Sequence, residues 1–475
     1  MLSTMLHLTL NPDDGPKYKG VASAIARQIK DGSLGTGVRL PPVRELAWAL
    51  QITPGTVARA YRDLTEMGLV QAEVGRGTFV AAPASEIEAD VWSQPPVTTP
   101  PVSPFLEPPD SYEVTLFSPR VPDLGQLVMI QNHLRQVAGL GGAQLLNYPV
   151  RAAYEPVRQV VVDWLSDVPL GVVTQEDIVL AHGGQSAICL CLQTILQGPS
   201  PVILVEDLSY AGFRRAAEIL RAGVVGVAMD GQGIVPEALE AAIRSSGAQV
   251  LCTSPEVHNP TTLHTPLERR VEIARICERY NVQILEDDCY RIADAKTASY
   301  RRLLPDQSWH VASLSKSLTP GLRVGFAVAA RGRSADLRRM AEYGFYGLSQ
   351  PLAELTRLLL SDPQIKPLTA QIRARFSDYV RLAVNVLGAH DLQWDAEVPF
   401  VWLRLPAGWR AAAFCRAAEK VGVQIRSADE FALRDGRAPH AVRISMNAHV
   451  SLSSFEAAMQ RLLLLLNNPP EQVSG

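Results

Sequence analysis

Between Lys17 and Lys30 the apolar residues Tyr18, Val21, Ala22, Ile25 and Ile29 recur at the spacing of one helical face, and Gly32 follows as a stop signal. A second helix is predicted from Val43 to Leu50, entered through Pro41 and Pro42, with Leu46, Ala47 and Leu50 turned inward. Thr53 stands where it can cap a third helix. That helix carries Pro54 in its first turn, buries Val57, Ala60, Tyr61 and Leu64, and stops near Met67-Gly68. Leu69 to Val80 then reads as two short strands around the turn Gly75-Arg76-Gly77.

The pattern changes after Ala82. Prolines crowd the segment 83–122 and helical periodicity fades, which predicts a semi-rigid linker. Beyond it, short apolar runs alternate with helical stretches: Ile178 to Ala181, Val202 to Val205, Val250 to Thr253, Val282 to Leu285, His310 to Ser313 and Val324 to Val328. Such alternation predicts an α/β domain over 123–330 with a largely parallel sheet and its site at the strand ends. Residues 331–475 mix helices with strands Val401 to Leu405 and Val442 to Ser445, and read as a second, smaller subdomain.

Composition narrows the class of protein. With 475 residues, 47% hydrophobic and 20% charged, the chain has the make-up of a globular protein of several cores. A net charge of -3 argues against polyanion binding by the whole surface, so any nucleic-acid contact belongs to one module. The six cysteines show no zinc-ligand spacing, and no metal site is expected; they are read as reduced thiols, which suits a cytoplasmic protein. No signal-peptide pattern opens the chain, and the apolar run Leu462 to Leu466 is too short for a bilayer, so no membrane association is expected.

Three helices and a two-stranded wing over 12–82 make a winged helix-turn-helix, whose third helix suits the major groove. Charge adds little, since nine basic residues there face seven acidic ones. The motifs say more. Arg39-Leu40-Pro41-Pro42-x-Arg44-Glu45-Leu46-Ala47, Thr53-x-x-Thr56-Val57-x-x-Ala60-Tyr61 and Gly75-x-Gly77-Thr78-Phe79-Val80 resemble the GntR family of bacterial regulators. That resemblance implies contact with double-stranded promoter DNA through Arg44, Thr53, Thr56, Arg76 and Gly77, with Arg39 and Arg59 beside them.

In the second half, Ser313-Leu314-Ser315-Lys316 runs on to Gly321, Arg323 and Gly325. Hydroxyls and an arginine beside one lysine could hold a phosphate while the amine reaches an aldehyde carbon. His182-Gly183-Gly184-Gln185-Ser186 follows a strand and opens a helix, so its amides can cradle a phosphate. These segments resemble fold-type I aminotransferases. The resemblance implies pyridoxal 5'-phosphate held as a Schiff base on Lys316, with its phosphate at Gly184, Gln185, Ser313, Ser315 and Arg323. It further implies Tyr210 stacked on the ring, Asp287 at the ring nitrogen, and Asn259 and Tyr290 at the ring's 3-oxygen. Arg443 would take an α-carboxylate, and Tyr148 would reach the phosphate of a partner subunit. Cys289 stands where relatives of this kind usually place a tyrosine.

Head and cofactor domain together resemble the MocR subfamily, which implies a head-to-tail homodimeric transcription regulator that senses an amino acid or amine at Lys316. Two other functions fit the same residues: an active aminotransferase whose head serves assembly only, and a sensor of pyridoxal phosphate itself.

Overall fold

The computed structural model describes residues 16–73, 77–81, 114–139, 146–433 and 436–469, in two compact units divided after Leu106. In the first unit, α1 (Lys17–Lys30), α2 (Val43–Ala49) and α3 (Pro54–Glu66) precede a hairpin of β1 (Val70–Glu73) and β2 (Gly77–Val80). The periodic residues form its core: Val21, Ile25, Leu46, Val57, Ala60 and Leu64 pack together with Val70 and Val80. Thr53 caps α3 by accepting the Thr56 amide proton at 3.3 Å, which supplies a partner for one of the amides that a helix start leaves open. Tyr61 ties α3 to the entry of α2 by donating to the Pro41 carbonyl at 2.8 Å.

The second unit opens on a short strand, β3 (Val114–Thr115), followed by helices α4 (Gln126–Ala138) and α5 (Glu155–Trp164). The strands and helices that follow alternate: β4 (Ile178–Ala181), α6 (Gly184–Ile195), β5 (Val202–Glu206), α7 (Ala211–Ile219), β6 (Gly223–Val227), α8 (Pro236–Ser246), β7 (Val250–Thr253), α9 (Leu267–Arg279), β8 (Gln283–Asp287), β9 (Ser308–Ser313) and β10 (Gly325–Val328). They build a sheet of seven strands in the order β4-β10-β9-β8-β7-β5-β6, parallel except for β10. Alternate residues serve opposite faces: Val205, Cys252 and Leu285 pack toward α6 and α7, while Leu204, Leu251 and Ile284 pack toward α8 and α9.

Register decides what meets at the strand ends. Ser313 pairs with Gly325, Gly325 pairs with Ala181, and Asp287 ends β8 opposite Val311. The Lys316 loop, the glycine turn before α6 and Asp287 therefore reach one edge of the sheet, where ligands of open α/β sheets sit.

Helices α10 (Ser334–Phe345) and α11 (Gln350–Ser361) pack back on this layer, α10 against α6 and β4 and α11 against α4 and α5. A subdomain boundary at residue 331 is thus too early. The smaller layer begins with α12 (Ile365–Leu387) and carries a sheet of β11 (Leu392–Gln393), β12 (Phe400–Arg404), β14 (Arg426–Ser427) and β15 (Ala441–Ser445), with α13 (Ala411–Lys420) and α14 (Leu452–Asn467). Between α13 and β14 lies β13 (Val423–Gln424), which pairs in parallel with β3.

The linker drawn over 83–122 needs the same kind of correction. Residues 82–113 lie outside the described residues, but 114–122 form an arm bonded to the small subdomain. The Val114 amide donates to Gly422, Leu116 to Gln424 and Arg120 to Met446, and Ser445 donates back to Leu116. Among the described residues no helix is long and apolar enough to cross a membrane.

Candidate functional site

The strand ends enclose a cavity of about 570 Å³. Lys316 reaches it from the loop after β9, and burial pushes its ammonium below the usual lysine range, with the nearby charges of Arg443 and Arg323 adding to the effect and Tyr290 opposing it. A larger share of free amine follows, and the free amine is the nucleophile. Its Nζ donates to Ser118 Oγ at 2.8 Å and lies 5.4 Å from the centre of the Tyr290 ring.

One wall is built for a small anion. Helix α6 begins at Gly184, so its first amides have no carbonyl partner within the helix and face the cavity mouth. The glycines there are forced by space: a Cβ on Gly184 would stand 2.3 Å from Cys289 Sγ, and one on Gly183 would stand 2.8 Å from an Arg323 nitrogen. Gly183 also has φ +81°, which L side chains rarely adopt. Arg323, with φ 52°, lines the cavity together with Ser313, Ser315 and Gln185. The Gln185 side chain itself turns to the Gly212 carbonyl at 2.9 Å, so only its backbone amide is free for an anion.

The opposite wall is set by β8. Asp287 is buried, and its Oδ1 accepts the Cys289 amide proton at 3.1 Å. Burial raises its carboxyl to about 6, hydrogen bonds from Cys289 opposing the shift. Tyr210 lines the cavity beside it, packed edge-on against Phe213.

At the third corner sits Arg443, 2% exposed, from the middle of β15. Its Nη1 donates to Asn259 Oδ1 at 2.5 Å and reaches Tyr290 Oη at 3.5 Å; its Nη2 donates to the Phe117 carbonyl at 2.6 Å. Burial alone would raise the Tyr290 phenol, but the charges of Arg443 and Lys316 outweigh it and the phenol is lowered.

The sequence-derived residues Gly184, Gln185, Tyr210, Asn259, Asp287, Tyr290, Ser313, Ser315, Lys316, Arg323 and Arg443 thus line one cavity. Tyr148 does not. It is 82% exposed, 5.6 Å from the Tyr346 ring, and lines a separate cavity with Tyr343 and Tyr346. Sequence reading missed Phe117, Ser118 and Arg426, the last donating to the Phe117 carbonyl at 2.9 Å. Phe117 and Ser118 were hidden by the prolines around them; the alternation of Val114 and Leu116 was the available signal.

The pocket fits pyridoxal phosphate on its own chemistry. An anion cradle with Arg323, a buried carboxyl at Asp287 and a lysine amine lie around one space of suitable size. Bound there, the cofactor would supply an aldehyde carbon that condenses with primary amines and a ring that withdraws electrons.

In the first unit, Arg44 and Thr53 are exposed on α2 and at the start of α3. Thr56 is half-buried, its hydroxyl 2.9 Å from that of Thr53. Arg59 lies 4.0 Å over the Tyr18 ring, and Arg39 packs against Gly77. Arg76 lies outside the described residues.

Comparison with known proteins gives two family matches: aminotransferase class I and II over residues 128–462, and bacterial regulatory proteins of the gntR family over residues 17–80. The chain is 27% identical to the HTH-type transcriptional regulator YdeF of Bacillus subtilis, across 97% of this chain and 96% of that protein. It is 26% identical to the vitamin B6 salvage pathway transcriptional repressor PtsJ of Salmonella typhimurium, across 91% of this chain and 95% of that one. Among solved structures, LysN, an alpha-aminoadipate aminotransferase of Thermus thermophilus complexed with N-(5'-phosphopyridoxyl)-L-leucine, superposes with a TM-score of 0.66 at 22% identity, covering 75% of this chain and 92% of LysN.

Proposed function

From the premise that the chain belongs to the aminotransferase class I and II family and joins that domain to a gntR-type head, in the manner of MocR regulators, we propose that it is a transcription regulator switched by an amino acid or amine at Lys316. The observation that carries the reading is the pocket: a buried lysine amine, an anion cradle and a buried carboxylate in the same chain as a winged helix with Arg44 and Thr53 exposed.

In this reading Gly184, Gln185, Ser313, Ser315 and Arg323 hold the cofactor phosphate. Asp287, a buried carboxylate, would keep a proton on the ring nitrogen by pairing with the positive charge it brings. Asn259 and Tyr290 hydrogen-bond the ring oxygen, and Tyr210 covers the ring face. Lys316 would hold the cofactor through its nitrogen, and the group would supply an aldehyde carbon open to exchange between that lysine and an effector amine. Arg443 takes the effector carboxylate through its planar fork. Arg44, Thr53, Thr56, Arg76 and Gly77 meet DNA, with Arg39 and Arg59 flanking. A homodimer, with Tyr148 reaching the partner's phosphate, places two heads on paired half-sites.

Purified protein should retard DNA from upstream of its own gene, and one amine or amino acid should change that retardation. Failure to bind any promoter-region fragment at low salt sinks the proposal. The lowered proton affinity of Lys316 favours a second reading, because a freed neutral amine is a competent base for an α-proton. Sustained exchange of amino groups between an amino acid and a keto acid would establish transamination.

A further inference from the structure

Arg443 is not waiting with an open fork. It is ringed by Tyr290, Phe400 and Phe431, at 5.7, 5.2 and 5.0 Å from its guanidinium carbon. Within that collar Nη1 is taken by Asn259 and Nη2 by the Phe117 carbonyl, while buried Nε has no hydrogen-bond partner. A two-point grip on a carboxylate that uses Nε must also use Nη2, its neighbour on that edge. The Phe117 oxygen stands 2.6 Å from Nη2. Nη2 has two N–H groups, so the carbonyl and a carboxylate oxygen share it only by taking different ones; where both need the one beside Nε, they compete.

The next residue holds the other reactive group, since Ser118 Oγ accepts from Lys316 Nζ. Phe117 and Ser118 therefore touch the two side chains that an α-amino acid would engage, one through its carboxylate and the other through its amine. Both belong to the arm 114–121, the first described residues of the second unit after the winged helix in chain order. The arm is otherwise fastened to the small subdomain, by Arg426 Nε donating to the same Phe117 carbonyl at 2.9 Å, Val114 to Gly422, Leu116 to Gln424, and His449 Nε2 to the Val121 carbonyl.

We propose that the Phe117 carbonyl is an internal competitor for the effector carboxylate, and that its displacement from Arg443 loosens the arm and is what regulates the head. The inference rests on the reading of the pocket as an amine sensor and adds the ligand class. An amine that lacks a carboxylate exchanges at Lys316 but leaves Arg443 on Phe117, and so occupies the site without signalling. An α-amino acid does both.

The test uses the full-length protein loaded with pyridoxal phosphate. The common L-α-amino acids and methylamine are each titrated while cofactor absorbance reports exchange at Lys316. Hydrogen exchange is then measured on peptides spanning 114–121 at matched occupancy. The amino acid that shifts the absorbance should speed exchange in that segment about tenfold, as expected when local opening becomes easier, and should change DNA retardation. Methylamine should shift the absorbance and leave both unchanged. An amino acid that saturates the absorbance without affecting 114–121, or methylamine that loosens the arm equally, overturns the role of Phe117 alone. If neither an amino acid nor methylamine shifts the absorbance, the sensor reading itself fails and the arm proposal falls with it; if methylamine alone does, only the arm proposal falls.

Discussion

Lys316 Nζ and Ser118 Oγ are joined at 2.8 Å across 198 residues of sequence, so the amine at the floor of the pocket is held by the arm that enters the second unit. The bond lies between a sheet-borne loop and a segment fastened to the small subdomain, and it couples the state of the amine to both layers.

Replacing the lysine tests this directly. Lys316→Ala removes the nitrogen that holds the cofactor carbon, so the visible absorbance of the nitrogen-linked cofactor should be lost and amino acids should no longer change DNA retardation. Basal DNA binding should stay within about twofold of the unmodified chain, because the head has its own core and its own exposed Arg44 and Thr53. Gel retardation and an absorbance spectrum of the same preparation check both halves.

Asp287 gives a prediction in pH. Its folded-state value near 6 lies above the ordinary 3.8, with burial the main cause, so the folded chain binds this proton more tightly than the unfolded chain does. The stability that this group contributes is therefore complete below about pH 4 and is lost as pH rises through about 6, on the order of 3 kcal/mol for a shift of this size. Denaturant unfolding of the cofactor-free protein from pH 4 to 8 should show the loss. Asp287→Asn should flatten that part of the profile and also weaken cofactor binding. An unchanged slope in the variant would assign the titration elsewhere, Glu206 being the neighbouring buried carboxyl, raised to about 7 chiefly by burial.

Arg44 carries the prediction for the head. Exposed on α2 and not part of the core, it is available to a phosphate. Arg44→Ala should weaken binding to specific and unrelated DNA alike and lower the slope of log affinity against log salt by about one, the signature of one lost phosphate contact. A loss confined to one sequence, with the slope intact, would instead mean that Arg44 reads a base. Fluorescence anisotropy across a salt series separates these outcomes.

Much of this was legible in the residues because the local signals were strong and agreed. Helix periodicity, caps and turn glycines marked the winged helix, and apolar runs marked the buried strands that meet the site. Strand β6 escaped because Gly223 and Gly226 interrupt its apolar run and its valines 224 and 225 are only half-buried, as suits the last strand of the sheet. The arm escaped for a different reason. Prolines 119 and 122 made it look continuous with the linker, and its order comes from partners more than 300 residues away, such as Gln424 and Arg443, which local pattern cannot reveal. The subdomain boundary was misplaced because α10 and α11 follow the large sheet in sequence and pack back onto it, a tertiary choice that periodicity does not encode.

Gly184 and Cys289 make a final prediction that separates space from chemistry. A methyl group on Gly184 would stand 2.3 Å from Cys289 Sγ, yet the Cys289 Cβ would be 3.6 Å away, an ordinary contact. Gly184→Ala should therefore force the thiol or the start of α6 to shift, and overpacking of this kind costs about 1–3 kcal/mol. Part of that cost falls on the anion cradle, so affinity for pyridoxal phosphate should drop roughly tenfold or more, since each 1.4 kcal/mol is about a factor of ten. Cys289→Ala alone removes the sulfur together with its hydrogen bond to Asp287, and sets the baseline against which the double variant is read. Combining the two should recover most of the lost affinity, because loss of the sulfur leaves room for the new methyl. Equilibrium binding of the cofactor to the four proteins closes the cycle: a recovery in the double variant assigns the defect to the Gly184–Cys289 contact, and an additive loss shows that the methyl acts on the anion cradle itself instead.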